Sequence, residues 1–434
     1  MQCSESYVSW KKTKTLSEKL LLSATWAARV ILGVVFIFSG LAKAIDPWGS
    51  LYKFSEYVSV WGLEIGRPAI LVFACALCIF EVLIGTSLLL NMYRRITCWI
   101  SLAFMACMTA FTFYIWLDDP VADCGCFGDV LIISNSATFL KNIFLLAVNV
   151  FLVCFRKFGM TLVRPKIQWI AGFVTLVYVV TVEFYGYNIQ PLVDFRPYPV
   201  GTDMKNIARQ EDERAEIKFL YQKDGVEQMF DIDRLPDDTW TFVKRVEPSD
   251  DDKSLLSISD ENDFDVTEDV FETEGRLYLL TVNDPQRYGI SRAEMANSLY
   301  DYSVETGASM VAVVGTAPEN LLDWAQNVGA RYPVYSADET DLKMLARGDA
   351  ALIVLDDGVI KWKTNIYALP PEFPYDNDNE TLRGISSDKS FFVKISVFWL
   401  VLMLVLVITS VFSPRTRQPK FLGTKENEVD QEKT

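Results

Sequence analysis

The sequence predicts a membrane all-α bundle of six spans, with a soluble α/β domain inserted between the fifth and sixth. Three observations carry this. Residues 24–187 and 391–413 are apolar, whereas most of the acid lies between them. Basic residues collect at alternate ends of the apolar runs. Beyond residue 275 the pattern changes to short strand-like and helix-like segments in alternation.

Composition sets the outer limits. The chain has 434 residues, is 50% hydrophobic and carries a formal charge of −15. That is too apolar for an ordinary soluble protein and too charged for a bare membrane bundle. The acidic domain argues against nucleic-acid partners, because a phosphate backbone demands Lys and Arg. There is no His. A His-based triad, a His-rich metal site and a His proton relay are therefore excluded.

The chain opens with a polar tail, residues 1–23, carrying Lys11, Lys12, Lys14 and Lys19. Residues 24–45 are long enough to cross a hydrocarbon core of about 30 Å. The tripeptide Ala42-Lys43-Ala44 resembles a signal cleavage site, but the lysine and the span length favour an uncleaved first helix. Further spans read as 69–91, 96–117, 138–155, 167–187 and 391–413. The positive-inside rule puts the N-terminal lysines, Arg94 and Arg95, Arg156 to Lys166, and Arg415 to Lys425 in the cytoplasm. The loops 46–68 and 118–137 and the whole of 188–390 then lie outside, and the tail 414–434 inside. That outer compartment permits disulfides.

Charge inside a span is costly and usually marks a pair or a pathway. The intramembrane candidates are Arg29, Lys43, Glu81 and Asn142. By depth, Glu81 lies nearer Arg29 than Lys43, so an Arg29–Glu81 pair joining the first two spans is expected. The sharper alternative makes Glu81 a proton-handling group, with Asn142 assisting.

The cysteines are segregated too. The acidic domain has none, so it is not a disulfide scaffold and has no thiol of its own. Cys124 and Cys126 lie in an outer loop, Asp123 to Asp129, beside Gly125 and Gly128. A thiolate is the nucleophile in disulfide exchange, so position and access decide reactivity. Cys-x-Cys can close a small-ring disulfide that is readily reduced. Asp123 and Asp129 oppose thiolate formation unless Lys141 or Lys43 is near. A second pair, Cys75 and Cys78, shares one face of span two near the same membrane side. Two dithiols at one face are what a disulfide relay to a quinone needs. Cysteines in apolar helices are otherwise small hydrophobes, and Cys98, Cys107 and Cys154 are read that way. Cys75 and Cys78 stay open between the two readings. No metal site is expected, since a four-cysteine zinc site would pull two ligands out of a helix.

The inserted segment 188–274 begins with a proline-punctuated linker, Pro191 to Pro199. A hairpin follows, 217–221 against 228–232 around Asp224-Gly225. Residues 248–269 read as an acidic loop. From 275 to 365 strands are expected at 277–282, 310–314, 333–335 (short and edge-like), 351–355 and 359–362, with helices at 290–306, 318–328 and 339–346. This order is similar to a thioredoxin-like fold. Where that family carries Cys-x-x-Cys, this chain has Asn283 to Tyr288, and where it carries a cis-proline it has Gly348-Asp349-Ala350. The domain is thus expected to be redox-dead, a binding module for a periplasmic protein client.

Two motifs carry a further resemblance. Cys124-Gly-Cys-Phe-Gly-Asp129 after the third span, and Phe38-Ser-Gly-Leu-Ala-Lys-Ala-Ile-Asp-Pro47 closing the first, resemble the DoxX/MauE group of bacterial membrane proteins. The likeness covers 24–157, a four-helix unit. The whole chain is similar to the DoxX-family proteins of Bacteroidetes that carry an extra C-terminal domain. The resemblance implies a multi-pass protein of the bacterial inner membrane. It also implies redox or maturation chemistry: disulfides of methylamine dehydrogenase for MauE-like proteins, thiosulfate:quinone oxidation for DoxX-like ones.

The expected function is therefore a membrane thiol–disulfide or quinone-linked oxidoreductase, with Cys124, Cys126, Cys75 and Cys78 as its reacting residues. The alternative is a non-catalytic assembly factor whose acidic domain binds a protein partner. Transport is a third reading, resting on Arg29, Glu81 and Asn142.

Overall fold

The structure is a computed structural model. It describes residues 16–121, 124–131, 133–215, 218–223, 226–231, 236, 239–246, 256–370 and 389–412. Residues 1–15 and 413–434, Asp123 and the Asp224-Gly225 pair lie outside the described residues.

Six helices are long and apolar enough to cross a membrane. They are α1 (Leu16–Ile45), α3 (Arg67–Leu89), α4 (Arg94–Asp118), α5 (Asn135–Cys154), α6 (Gln168–Asn188) and α12 (Lys389–Phe412). Between α1 and α3 the presumed outer loop contains a further helix, α2 (Pro47–Val60). Asp46 caps it, accepting from the Gly49 N–H at 2.9 Å, and Pro47 takes the first helical position. A proline there disfavours continuation of the helix before it and suits the start of the next. The Asp46-Pro47 pair thus ends α1 and starts α2.

Helices α1 and α3 cross at glycines. A Cβ on Gly85 would lie 2.7 Å from the Gly33 carbonyl oxygen, and one on Gly40 2.9 Å from that of Cys78. Small residues allow such close approach in a bundle that lacks a hydrophobic driving force. This crossing fixes the relative height of the two helices. Gly40 stands level with Cys78 and Glu81, so the first turns of α3 rise past the end of α1 at Ile45. α12 packs on α6, with Trp399 stacked on Tyr178 at 5.0 Å.

The inserted region begins with α7 (Met204–Ala215). A three-stranded antiparallel sheet follows in the order β2-β1-β3, from β1 (Lys218–Lys223), β2 (Val226–Asp231) and β3 (Thr241–Val246). The pairing Lys223↔Val226 leaves a two-residue turn, as the hairpin reading requires.

The larger sheet has the order β4-β7-β6-β5-β8-β9. Its strands are β4 (Ile258–Ser259), β5 (Arg276–Val282), β6 (Ser309–Val314), β7 (Val334–Ala337), β8 (Ala350–Asp356) and β9 (Val359–Asn365). β5, β6 and β7 are parallel, and β8 and β9 antiparallel. The helices α8 (Thr267–Phe271), α9 (Ile290–Thr306), α10 (Pro318–Val328) and α11 (Glu339–Leu345) flank it. Alternate residues of β5 serve opposite cores, as the two-residue period of a strand requires. Tyr278, Leu280 and Val282 pack with α9 and α10, and Leu277 and Leu279 with α7, α8 and α11.

Three expectations are corrected here. The described part of the presumed acidic loop, from Leu256 on, folds into β4 and α8, because Leu256, Ile258, Val270 and Phe271 are buried against the sheet. β7 is not an edge strand, since β4 pairs with it. α1 starts at Leu16, well before residue 24.

Candidate functional site

The end of the bundle that meets the soluble domain carries the chemistry. The loop between α4 and α5 turns back through Gly125 (φ +64°) and Gly128 (φ +54°), with the Gly128 N–H donating to the Gly125 carbonyl at 3.1 Å. Glycine takes this left-handed backbone without a Cβ clash. Space demands it as well, since a Cβ on Gly125 would lie 2.8 Å from the Lys53 Cγ on α2.

This turn sets the two sulfurs face to face. Cys124 Sγ and Cys126 Sγ are 2.7 Å apart, both cysteines free, and the Cys126 N–H donates to Cys124 Sγ at 3.3 Å. The Cys126 carbonyl accepts from Ser39 Oγ at 2.8 Å. Phe54 and Tyr57 of α2 and Ile115 of α4 pack over Cys124. Lys141 of α5 stands over the Phe127 ring at 4.0 Å.

The two thiols are driven apart in acidity. The Cys124 thiol is pulled down to about 6, by hydrogen bonding from Cys126 above all, against the effect of burial and with help from Lys141. The Cys126 thiol is pushed well above the ordinary cysteine range by that same shared proton and by burial. At neutral pH the pair is one thiolate and one thiol, the division that exchange chemistry uses.

Behind Cys126 lies a cavity of about 40 Å³, lined by Ser39, Glu81, Cys126, Lys141 and Asn142 with apolar residues of α1, α4 and α5. Lys43 Nζ meets Glu81 Oε1 at 2.6 Å and reaches Ser39 Oγ at 3.3 Å. The other carboxylate oxygen, Glu81 Oε2, is buried without a hydrogen-bond partner among the described residues.

The Arg29–Glu81 pair is therefore corrected to Lys43–Glu81. The depth argument assumed that both helices end at one surface. The offset of α3 past α1 instead brings Glu81 level with the last turn of α1. Arg29 lies deeper, beside Cys98. Asn142 stitches α5 to α4, its Nδ2 donating to Thr112 Oγ1 at 3.1 Å. Cys78 is buried in α3, its thiol donating to the Ala74 carbonyl at 3.1 Å. Cys78 and Cys126 both lie within electrostatic reach of the Lys43 ammonium. Cys75 lies about a turn from Cys78, half-buried. Glu183 of α6, beside Cys78, was missed. An acid inside an apolar run was the available signal.

The docking of the soluble domain was also unforeseen. Arg347, just after α11, reaches Asp46 Oδ2 at 2.8 Å and also binds Asp129 in the cysteine loop. Burial works against its charge, but the two carboxylates outweigh that and hold the guanidinium protonated. Arg67 at the head of α3 pairs with Asp284 at 2.8 Å and Asp349 at 3.0 Å. Tyr52 donates to the Gly348 carbonyl at 3.2 Å. The loops after β5 and before β8 thus face the cysteine site. Among the described residues no group of three His, Cys, Asp or Glu stands together as a metal site.

The six apolar helices define a multi-span membrane protein. Its first four spans, with the cysteine loop, are MauE-like: residues 21–155 match the family model described as methylamine utilisation protein MauE. Residues 215–248, around the small sheet, match a domain of unknown function (DUF8463). No curated protein matches the chain.

Proposed function

We propose that this chain exchanges thiols and disulfides at the membrane surface through Cys124 and Cys126. The observation that carries the reading is the pair of free sulfurs at 2.7 Å, one held as thiolate beside a polar, buried relay. The Cys124 thiolate attacks one sulfur of a client disulfide. A mixed disulfide forms and the client's other sulfur leaves as thiolate. Cys126 then loses its proton and attacks the Cys124 sulfur, releasing the second client thiolate. The loop is left oxidised by two electrons and the client reduced by two. Run in reverse, an oxidised loop forms a disulfide in a dithiol client.

Glu81 and Lys43 are the groups placed to handle the Cys126 proton, through water in the cavity. A volume of about 40 Å³ admits a few waters. No step is routed through a quinone. Cys75 and Cys78 are the proposed internal relay, because Cys78 and Cys126 both lie within electrostatic reach of Lys43.

The outer, periplasmic side is the proposed location of the site. Arg94, Arg95, Arg156 and Lys157 all lie at the bundle end away from the soluble domain, in keeping with the positive-inside rule. The strand order β6-β5-β8-β9, with an antiparallel second half, supports a thioredoxin-like reading of the soluble domain. Having no cysteine, it is proposed to hold a protein client, and maturation of that client's disulfides is the role the MauE likeness favours.

The test is site-resolved thiol trapping in membranes. Mild oxidant should close Cys124 and Cys126 to alkylation together, and reductant should reopen both. A pair that stays alkylatable under all oxidants would remove the redox reading.

A further inference from the structure

One side chain of the soluble domain fastens two parts of the membrane domain together. Arg347 binds Asp46, the cap of α2, and Asp129, three residues past Cys126. Its own backbone is fixed by Gln190, which accepts from the Arg347 N–H at 3.1 Å and donates to its carbonyl at 2.7 Å. Lys363, buried in β9, donates to the Leu345 carbonyl at 2.7 Å and steadies the chain just before it.

What Arg347 fastens is the cover of the thiol site. Phe54 and Tyr57 of α2 pack on Cys124, and the Lys53 stem lies against Gly125. Cys124 is 9% exposed. Among the described residues, the apolar cluster around Cys124 draws on α2 and α4, and Arg347 ties α2 to the loop.

We propose that Arg347 is a positioning residue of the thiol site: it keeps α2 closed over Cys124 and Cys126, and its release from Asp129 opens them to a client. The inference rests on Cys124 being the reacting thiol. Of the two anchors, Asp129 is the more exposed, with its side chain 43% accessible against 14% for Asp46. It is therefore the anchor that gives way first.

The experiment measures N-ethylmaleimide labelling of the full chain in lipid nanodiscs, resolved by site. It is run at about pH 8, where Cys124 is already thiolate and the rate reports access. The variants are Asp129→Asn, Arg347→Gln and the double change. Each single change should raise the Cys124 rate about tenfold, with the double no faster than Arg347→Gln alone, because all three break the Arg347–Asp129 bond and the double breaks nothing that Arg347→Gln leaves intact. Cys154, exposed at the far end of α5, should label at an unchanged rate. Asp129→Asn keeps the Arg347–Asp46 pair, so it reports even where Arg347→Gln fails to fold. An unchanged Cys124 rate in Asp129→Asn, or effects that multiply in the double variant, would overturn the proposal. Labelling needs no client. A thiol pair that never exchanges with one would therefore sink the functional reading and leave this result standing.

Discussion

Lys43 Nζ and Glu81 Oε1 meet at 2.6 Å, both side chains buried, at the level where the last turn of α1 passes α3. Breaking one partner of a buried ion pair leaves an uncompensated charge and costs about 3–5 kcal/mol. Lys43→Met should therefore lower the thermal midpoint in detergent sharply. The double change Lys43→Met with Glu81→Leu should recover most of it, since an apolar pair of similar volume removes the orphan. An unchanged midpoint in Lys43→Met would contradict the pairing.

The acidity of Cys124 has a sign that can be checked. Its thiol sits at about 6, below the ordinary cysteine value near 8.5. The folded protein thus binds fewer protons there than the unfolded chain between those two values, and stability gained from the thiolate rises with pH across that window. It is fully present above the ordinary value and lost as pH falls through about 6. Alkylation of Cys124 should follow the same midpoint, while Cys126 should titrate well above it. Equal midpoints for the two would contradict the division of roles.

Arg67 should matter to docking more than to the bundle. Its pairs with Asp284 and Asp349 cross from α3 to the loops after β5 and before β8. Arg67→Ala should speed hydrogen exchange in 283–289 and 346–349, and leave exchange within α1 and α3 unchanged. Each partly exposed pair contributes no more than about 1 kcal/mol, so global unfolding should shift little.

The glycine crossing makes a steric prediction. Gly85→Ala puts a methyl 2.7 Å from both the Gly33 carbonyl oxygen and Ile37 Cγ1. Overpacking of this kind costs about 1–3 kcal/mol. Because the crossing also sets the height of Glu81, the losses of thermal midpoint in Gly85→Ala and Lys43→Met should be less than additive when combined. A neutral Gly85→Ala would show the crossing to be looser than drawn.

Much of this architecture is legible in the sequence. Span length and basic flanks locate the transmembrane helices to within a few residues, the early start of α1 apart, because a bilayer imposes length and hydropathy on each helix alone. Strands such as Leu277 to Val282 are equally plain, since both faces are buried and every residue but Thr281 is apolar. What escapes depends on how elements meet. The offset of α3 past α1 is set by Gly33, Gly40 and Gly85, and no depth count reveals it, so Glu81 was matched to Arg29. The helix α2 is short and mixed in character, and only Asp46-Pro47 announces its start. Arg347 is one arginine of a polar segment until the fold carries it to Asp46 and Asp129, each more than 200 residues away in sequence. The cysteine loop was readable as a site, and Glu81, Lys43 and Lys141 as candidate polar partners; the Lys43–Glu81 pairing and the cover by α2 were not.

The central claim is that Cys124 and Cys126 exchange disulfides with a client. The direct measurement is trapping in native membranes with Cys126→Ser, which leaves Cys124 to attack without its resolving partner. The account predicts a reductant-sensitive adduct on Cys124, absent from Cys124→Ser and from the double variant. No adduct on Cys124, together with unchanged function in the double serine variant, would contradict it.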